Sequence, residues 1–367
     1  MILKEHVFNP KYSPKWQEKP FLPAPTLRNL KMATNFLLAK LEYRLLRTRL
    51  ISYPYFSLID PSSVCNLRCP LCPTGMGDTS RPKVFMKFDD YKRIIDQLGD
   101  YLFSILFTNW GEPFLNKDFI RMIEYTKHVK HVPFTSVDTN LNMNFSDKDI
   151  EYIVKSGLDT MCISIDGATQ ATYEKYRRGG KLQMVIDNSK RILAKKKELG
   201  KDRPFVVWQF LVLKHNEHEL GKVLQLAKET GVDALRIAAA QVYMSEVDKR
   251  FEQSYEASKE YIPPLGSEYS GYTAEGKRKF PIDRCQWLWK GVVINSDSGV
   301  QPCCAIYPKK YDFADALKVK DFKAIWNSKE YQDARAAVRN PKLAKKMFDE
   351  KNENVCVTCT VFGNWTG

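Results

Sequence analysis

Three cysteines stand within eight residues in the segment SSVCNLRCPLCPTG, residues 62–75. Cys65, Cys69 and Cys72 are too close together to be ordinary core cysteines, and three thiols cannot all pair as intrachain disulfides. Thiolate sulfur is a soft ligand that suits iron–sulfur clusters, zinc and copper(I). A structural zinc ion takes four protein ligands, and the next Cys or His downstream is His128. A 4Fe–4S cluster held by three cysteines keeps one iron without a protein ligand, so the spacing predicts a reactive cluster.

The composition is that of an ordinary globular protein, with 44% hydrophobic and 27% charged residues among 367. The first residues lack the apolar core of a signal peptide, and no apolar stretch approaches the roughly 18 residues of a membrane span. We therefore expect a cytoplasmic protein, in which clustered cysteines indicate metal binding or catalysis. The net charge of +14 is spread along the chain. This favours solvated helix faces over nucleic-acid binding, for which no motif is present.

From about residue 51 to 245, apolar strand segments alternate with amphipathic helix segments. Six strands separated by helices predict an α/β fold with a parallel sheet built from right-handed crossovers. Catalytic groups on such a sheet lie where strands end and loops begin. Residues 246–280 lose this rhythm and are interpreted as a linker or lid. Cys162 stands inside an apolar strand segment, and we expect it to pack in the core.

The N-terminal extension, residues 1–50, divides into two parts. Residues 1–26 are proline-rich and predicted to be irregular. Residues 27–50 have Lys and Arg on one side and an apolar stripe at helical spacing, formed by Leu30, Ala33, Leu37, Leu41 and Leu45. We favour a basic amphipathic helix whose stripe packs on the domain body. The alternative is a surface helix that contacts acidic lipid.

A second, smaller unit is predicted over residues 281–367, which hold five of the nine cysteines. Cys356 and Cys359 form a Cys-x2-Cys pair, and with Cys285 and one residue of the pair Cys303–Cys304 they complete a four-thiolate set. Neighbouring residues on a strand point in opposite directions, so only one of the adjacent cysteines can normally join. An iron–sulfur cluster and structural zinc are both compatible with four thiolates.

The Cys-x3-Cys-x2-Cys spacing directly after the first strand resembles the radical S-adenosylmethionine (radical SAM) enzymes. The resemblance implies a partial (β/α)6 TIM-type barrel over residues 51–245 and a 4Fe–4S cluster whose open iron is chelated by SAM. It further implies cleavage of SAM to methionine and a 5′-deoxyadenosyl radical, which takes a hydrogen atom from a substrate. A reductant such as flavodoxin or ferredoxin is then expected as a partner.

Other motifs extend the resemblance to candidate SAM contacts. The segment NWGEP, residues 109–113, stands where the family carries Gly-Gly-Glu-Pro, with Trp110 in place of the first Gly. Glu112 is expected to accept hydrogen bonds from the SAM amino group. Asn140 falls at the third strand end, near the Thr-Asn-Gly of relatives. Asn216 and Glu219 are candidates for the ribose end.

The fourth strand closes with SIDG, residues 164–167, in which Ser164 and Asp166 project from one face. The resemblance makes Ser164 a SAM contact and Asp166 a ribose-side or substrate-side group. An arginine suits the SAM carboxylate because it pairs bidentately. Of the neighbours Arg177 and Arg178, we favour Arg178.

The C-terminal cysteines resemble the auxiliary-cluster region called SPASM, or its shorter relative called twitch. The full SPASM pattern has more cysteines and holds two clusters, so the shorter form with one auxiliary 4Fe–4S cluster fits better. The match of Val-x-Pro-Cys to relatives favours Cys303 as the ligand over Cys304. Cys304 is then expected to pack or to face the substrate.

Together these resemblances imply a radical SAM oxidoreductase or maturase acting on a carbohydrate, a lipid-linked molecule or a peptide. The second cluster would assist oxidation or epimerisation. One alternative is a non-catalytic iron–sulfur electron carrier or scaffold, which would need two closed four-cysteine sites. Another is an RNA-modifying radical SAM enzyme, which would need its positive charge concentrated at the barrel mouth. No catalytic residue beyond the clusters is identifiable from the pattern.

Overall fold

One ten-stranded sheet organises the computed structural model, which describes residues 2–8, 26–240, 256, 258–279, 284–357 and 359. The strand order is β1-β7-β6-β5-β4-β3-β2-β8-β9-β10. The strands are β1 (Ile2–Val7), β2 (Phe56–Ile59), β3 (Ser104–Phe107), β4 (Phe134–Thr139), β5 (Thr160–Ser164), β6 (Phe205–Val212), β7 (Ala234–Ala239), β8 (Gly291–Ile294), β9 (Gly299–Gln301) and β10 (Ala314–Asp315).

Helices fill the connections between the strands. The α-helices in the described residues are α1 (Leu27–Arg44), α2 (Pro73–Met76), α3 (Phe88–Leu98), α4 (Phe119–Glu124), α5 (Asp147–Lys155), α6 (Gln170–Tyr176), α7 (Leu182–Glu198), α8 (Leu220–Thr230), α9 (Trp287–Lys290), α10 (Phe322–Trp326), α11 (Lys329–Arg339) and α12 (Pro341–Asp349). None of them combines the length and the apolar character that a bilayer crossing needs.

Strands β2 to β7 follow one another in sequence and in space, and every neighbouring pair is parallel. Helices cross between them, so the predicted partial barrel of six β/α units is confirmed. The carboxyl ends of all six strands meet at one edge of the sheet, where a site is expected.

The two faces of the barrel strands differ in polarity. Side chains that point toward the helices are apolar and belong to the main core, among them Phe107, Val137, Ile163 and Trp208. The register places Asp138 opposite Cys162 on the other face. Because side chains alternate along a strand, the inner face of the barrel is the polar one.

Both ends of the six-stranded barrel are extended by further strands. At one end β1 pairs antiparallel with β7, with Val7 opposite Ala234. The prediction that residues 1–26 are irregular is therefore wrong for Ile2–Val7, since the edge of β7 supplies backbone partners that the sequence pattern does not reveal. At the other end β8 pairs parallel with β2, and β9 and β10 continue the sheet as an antiparallel pair.

The C-terminal unit is anchored on the barrel by a buried arginine. Arg81 donates to the Tyr307 carbonyl oxygen at 2.9 Å and pairs with Asp297 at 2.6 Å and with Asp312. Asn109 adds a 2.9 Å hydrogen bond to Asn295. These contacts fix the C-terminal cysteines relative to the barrel loops.

Helix α1 lies across the amino ends of β2 and β3, where the Phe36 ring packs edge-on against Tyr55 and Phe103. Its buried side includes polar residues. Asn35 exchanges two hydrogen bonds with the backbone of Tyr53, and Glu42 accepts from the Ile51 and Ser52 backbone amides. The interpretation that the leucine stripe packs on the body is wrong, because Leu30, Leu37, Leu41 and Leu45 are exposed.

Candidate functional site

The three-cysteine loop begins at the carboxyl end of β2 and ends in the short helix α2. Cys72 begins that turn, and its carbonyl oxygen accepts from the Met76 amide at 2.8 Å. A Cβ atom on Gly75 would lie 2.4 Å from the Cys69 carbonyl oxygen, so only glycine fits there. The backbone of the loop is therefore tightly packed, and its three thiols lie within eight residues of one another.

Each thiol of the loop receives N–H donors. Cys65 Sγ accepts from the Leu67 amide at 3.5 Å and from Asn140 Nδ2 at 3.7 Å. Cys69 Sγ accepts from Arg177 Nη1 at 3.7 Å, and the amides of Thr74 and Gly75 point to Cys72. Hydrogen bonds to cluster sulfurs help set the potential of iron–sulfur sites. The donor set thus suits thiolate ligands.

Burial acts against charged thiolates at this loop. It raises the pKa of Cys65 to about 12, although the Leu67 amide lowers it, and it also raises the pKa values of Cys69 and Cys72. At neutral pH, such thiols lose their protons when a metal ion binds to the sulfur. The loop accordingly has the chemistry of a metal ligand set and not of a redox-active free thiol.

Glu112, which follows β3, contacts both the end of β4 and the cysteine loop. Its carboxylate accepts from the Asn140 amide and from Thr139 Oγ1, both at 2.7 Å, while its own amide donates to the Val64 carbonyl oxygen. Burial raises its pKa to about 7 despite these donors. A Cβ on the preceding Gly111 would lie 1.8 Å from the Ser62 carbonyl oxygen, so the Gly-Glu-Pro path requires glycine.

Trp110, which departs from the family pattern, reaches the C-terminal unit. Its Nε1 donates to the Ile306 carbonyl oxygen at 3.2 Å, and its ring meets Tyr307 edge-on at 5.3 Å. The side chain thus points away from the path of Gly111 and Glu112. Its role in this chain is a contact between the two units.

Arg177, which we did not favour from the sequence, is the arginine beside the cysteine loop. Its Nε donates to Asp166 Oδ2 at 2.5 Å, and Asp166 Oδ1 accepts from the Leu211 amide at 2.7 Å. Arg178 points outward and donates to the Tyr261 hydroxyl at 2.8 Å. It lines a 780 Å³ pocket on the outer side of the loop, together with Arg68 and Met76.

The other predicted SAM contacts lie at different depths. Ser164 is half-buried at the end of β5. Asn216 is buried behind Asp166, where its Nδ2 donates to the carbonyl oxygens of Asp166 and Leu211. Glu219 accepts from the Ala168 amide at 2.7 Å. The structure therefore brings Glu112, Asn140 and Asp166 to the cysteine loop. Asn216 and Glu219 instead hold the segment that follows β5 in place.

The C-terminal cysteines form a second group. Cys285 precedes α9, Cys303 follows β9, and Cys356 and Cys359 lie near the end of the described chain. Burial raises the pKa of Cys285 to about 12 and those of Cys303 and Cys356 well above the usual value; the neighbouring thiols of the group raise them further. The four thiols are therefore close enough to influence one another electrostatically.

Cys304 is exposed, whereas its neighbour Cys303 is half-buried and packs against the main core. The charged groups that act on Cys304 are Lys290 and Asp138, and not Cys285, Cys356 or Cys359. This is the alternation expected of adjacent residues. Cys303 therefore remains the favoured member of the four-thiolate set.

A polar group on the inner face of the barrel was missed by sequence reasoning. Asp138 on β4 accepts hydrogen bonds from Thr108 and Cys162, and Arg236 on β7 pairs with Glu5 at 3.3 Å. We call these five residues the inner cluster. Cys162 is buried as expected, but as a hydrogen-bond donor rather than as apolar filling. In the sequence, the inner cluster is indicated by the alternation of the polar residues Ser136, Asp138 and Asn140 along one face of β4.

Two family models match the chain. Residues 59–227 match the model of the radical SAM superfamily, and residues 285–360 match the SPASM model, an iron–sulfur cluster-binding domain. The chain therefore carries a radical SAM domain followed by an iron–sulfur cluster-binding domain of the SPASM type. Its two cysteine groups coincide with the cluster-binding parts of these two matches, which imply SAM, its 4Fe–4S cluster and an auxiliary cluster as cofactors.

Proteins similar to this radical SAM chain differ in their activities. A GTP 3′,8-cyclase from Lactiplantibacillus plantarum is 28% identical over 187 residues, 51% of this chain and 53% of that protein. An AdoMet-dependent heme synthase from Methanosarcina barkeri is 29% identical over 175 residues, 47% of each chain. The chain thus spans about half the length of these curated relatives.

Among solved structures, SuiB from Streptococcus suis bound to the precursor peptide SuiA has a similar fold. The TM-score is 0.55 at 16% identity, and the match covers 83% of this chain and 71% of SuiB. At this identity the likeness shows the radical SAM and SPASM fold alone.

Both cysteine groups fit the clusters that the family implies. Within the described residues, no group of three or more His, Cys, Asp or Glu side chains meets the geometry of a metal-ion site. The fit therefore rests on the donors: buried or half-buried thiols in sets of three and four, with N–H groups directed at the sulfurs of the first set. Structural zinc, the alternative for the second set, is not what the matching domain binds.

The neighbours Arg177 and Arg178 provide a matched test of the loop architecture. We expect Arg177→Met to lower the free energy of unfolding by about 3–5 kcal/mol, because it leaves the Asp166 carboxylate buried without its partner. Arg178→Met removes an exposed contact, so its effect should stay within about 0.5 kcal/mol. Anaerobic urea titration of both cluster-loaded variants measures the difference. Equal midpoints would show that the Arg177–Asp166 pair does not hold the loop.

Proposed function

We propose that this protein is a radical SAM oxidoreductase that removes hydrogen from a polar substrate held between its two cysteine groups. The proposal rests mainly on the position of strand β4 relative to the two cysteine groups. Asn140 at its carboxyl end donates to Cys65 of the first group, and Asp138, two residues earlier, lies within electrostatic reach of Cys304, the neighbour of Cys303 in the second. Two residues of a strand span about 7 Å. We therefore propose that the inner cluster, which includes Asp138, lies between the two cysteine groups.

Each proposed cofactor has its own set of protein ligands. Cys65, Cys69 and Cys72 would hold the first 4Fe–4S cluster, which with SAM supplies the 5′-deoxyadenosyl radical that takes a hydrogen atom from the substrate. Cys285, Cys303, Cys356 and Cys359 would hold the auxiliary cluster, which supplies a one-electron acceptor. Arg177 beside Cys69 is the proposed partner of the SAM carboxylate in place of Arg178, and Glu112 with Ser164 and Asp166 would orient the rest of SAM.

Asp138 is the proposed proton acceptor. A substrate that loses a hydrogen atom and an electron also releases a hydroxyl or amine proton, which a carboxylate on the inner face can take. Burial raises the pKa of Asp138 to about 6, with Arg236 acting in the opposite direction. The carboxylate is then charged at neutral pH but basic enough to hold the proton, as general bases are.

The inner cluster also favours a substrate class. Its carboxylates, guanidinium and hydroxyl suit a molecule with several hydroxyl or amino groups, which points to a carbohydrate or a small alcohol. SuiB was solved with a precursor peptide bound, so a peptide side chain that reaches the inner cluster is the second candidate. A reductant such as flavodoxin or ferredoxin would supply the electron for SAM cleavage.

The formation of 5′-deoxyadenosine tests the reaction class. The anaerobically reconstituted protein is incubated with SAM, dithionite and a panel of deuterated sugars, alcohols and peptides. We expect 5′-deoxyadenosine to form and one substrate class to transfer deuterium into it. An electron carrier or scaffold would yield no 5′-deoxyadenosine, and an RNA-modifying enzyme would take its hydrogen only from added RNA.

Asp138→Asn separates proton transfer from hydrogen abstraction. With the substrate identified by deuterium transfer, we expect product formation to fall about 100- to 1,000-fold, the usual share of a general base. Deuterated 5′-deoxyadenosine should still form, because abstraction needs no base. Ser136→Ala, two residues earlier on the same face of β4, is the control and should retain both products. If Asp138→Asn keeps parental product formation, the proposed proton acceptor is wrong.

A further inference from the structure

The solvent side of helix α1 carries a row of leucines. Leu30, Leu37, Leu41 and Leu45 are 63%, 67%, 52% and 59% exposed. At about 100° per residue they lie within an arc of about 80° on one side of the helix. Single exposed leucines are ordinary, but a continuous apolar row marks an interaction surface. We call these four residues the leucine ridge.

The leucine ridge cannot turn inward. On the opposite side of the helix Met32 and Ala39 are buried, and the polar side chains of Asn35 and Glu42 make four hydrogen bonds with the backbone of residues 51–53. Rotating the helix would expose this apolar pair and break four hydrogen bonds. The fold therefore fixes the leucines on the outside.

The charges around the leucine ridge have one sign. From Thr26 to Ile51 the basic residues are Arg28, Lys31, Lys40, Arg44, Arg47 and Arg49, and the single acidic residue, Glu42, is buried. Asp100 of the barrel is the acidic neighbour, and it pairs with Lys31 at 3.1 Å. An apolar ridge with basic flanks complements the headgroups and acyl chains of an anionic bilayer.

We propose that α1 docks the protein peripherally on an anionic membrane surface. Because α1 lies across the amino ends of β2 and β3, the carboxyl edge with the three-cysteine loop faces away from the bilayer. The barrel would remain open to substrates and reductants from the aqueous side. This docking is independent of the reaction that the barrel performs.

Vesicle sedimentation tests the docking. The cluster-loaded protein is mixed with phosphatidylcholine vesicles, with or without about one-third phosphatidylglycerol. We expect sedimentation with the anionic vesicles only, weakening as salt is added. Leu37→Ser/Leu41→Ser should lower the affinity about 100-fold, about ten-fold for each leucine removed from the acyl region. The control Tyr152→Ser/Phe348→Ser removes two apolar side chains exposed on other helices and should bind like the parent.

Three outcomes would overturn the proposal. The first is failure of the parent to sediment with anionic vesicles, and the second is equal binding of the leucine variant and the parent. The third is a parent that is dimeric in light scattering and a leucine variant that is monomeric, with no vesicle binding by either. That result would assign the leucine ridge to a second copy of the chain. Iron content and 5′-deoxyadenosine formation, unchanged in the variant, show that its barrel is intact.

Discussion

Replacing Cys65 with alanine is expected to abolish the formation of 5′-deoxyadenosine. The proposed ligand set of the first cluster has three thiols and no fourth, and the next Cys or His along the chain is His128. The variant should lose about four of about eight irons per chain and keep the auxiliary cluster. Iron analysis of the anaerobically reconstituted protein and chromatography of the SAM products measure both effects.

Cys162→Ala is the matched control for this loss. Cys162 is also a buried thiol, but it donates to Asp138 and lies outside both cysteine groups. It should retain about eight irons and parental SAM cleavage. A Cys65→Ala variant that still cleaves SAM would contradict the assignment of the loop as the cluster ligand.

The second large effect is expected from substituting alanine for each of the adjacent cysteines Cys303 and Cys304. Cys303→Ala should lose about four irons and the oxidation of substrate while SAM is still cleaved. Cys304→Ala should keep about eight irons, because Cys304 is exposed and is not among the proposed ligands. The same iron analysis and product chromatography apply to both variants.

This pair of variants is its own control, because the two positions are adjacent in the chain and carry the same residue type. Loss of iron in Cys304→Ala with retention in Cys303→Ala would reverse the assignment of the ligand. Loss of substrate turnover in Cys304→Ala with full iron content would instead indicate that this thiol contacts the substrate. Both results are readable from the same preparation.

The architecture of the barrel was predictable because it follows from periodicity. Alternating strand and helix segments set the order of β2 to β7, and the cysteine spacing indicated the loop after β2. The inner cluster was also within reach, since polar residues alternate along β4 in the stretch Ser136 to Asn140.

The choice between Arg177 and Arg178 was not predictable from the pattern. Arg177 ends helix α6 with φ −83° and ψ 61°, outside the helical region. This local turn sends successive side chains in different directions, one toward Asp166 and one toward Tyr261. The sequence offers two adjacent arginines, and the dihedral angles of Arg177 decide which of them lies beside the cysteine loop.

The orientation of α1 depends on contacts far from the helix. Periodicity predicted the helix and its leucine row, but not which side is buried. Asn35 and Glu42 are buried because the backbone of residues 51–53 offers them partners. The short strand β1 is similar, since only the free edge of β7 specifies its pairing.

The central claim is that one iron at the loop of Cys65, Cys69 and Cys72 has a position open to SAM. Electron–nuclear double resonance of the reduced cluster with SAM labelled at its amino nitrogen measures this directly. We predict a hyperfine coupling between the cluster and the labelled nitrogen, which is absent in the Cys65→Ala variant. A reduced cluster without such coupling, or a zinc ion bound at this loop, would contradict the account.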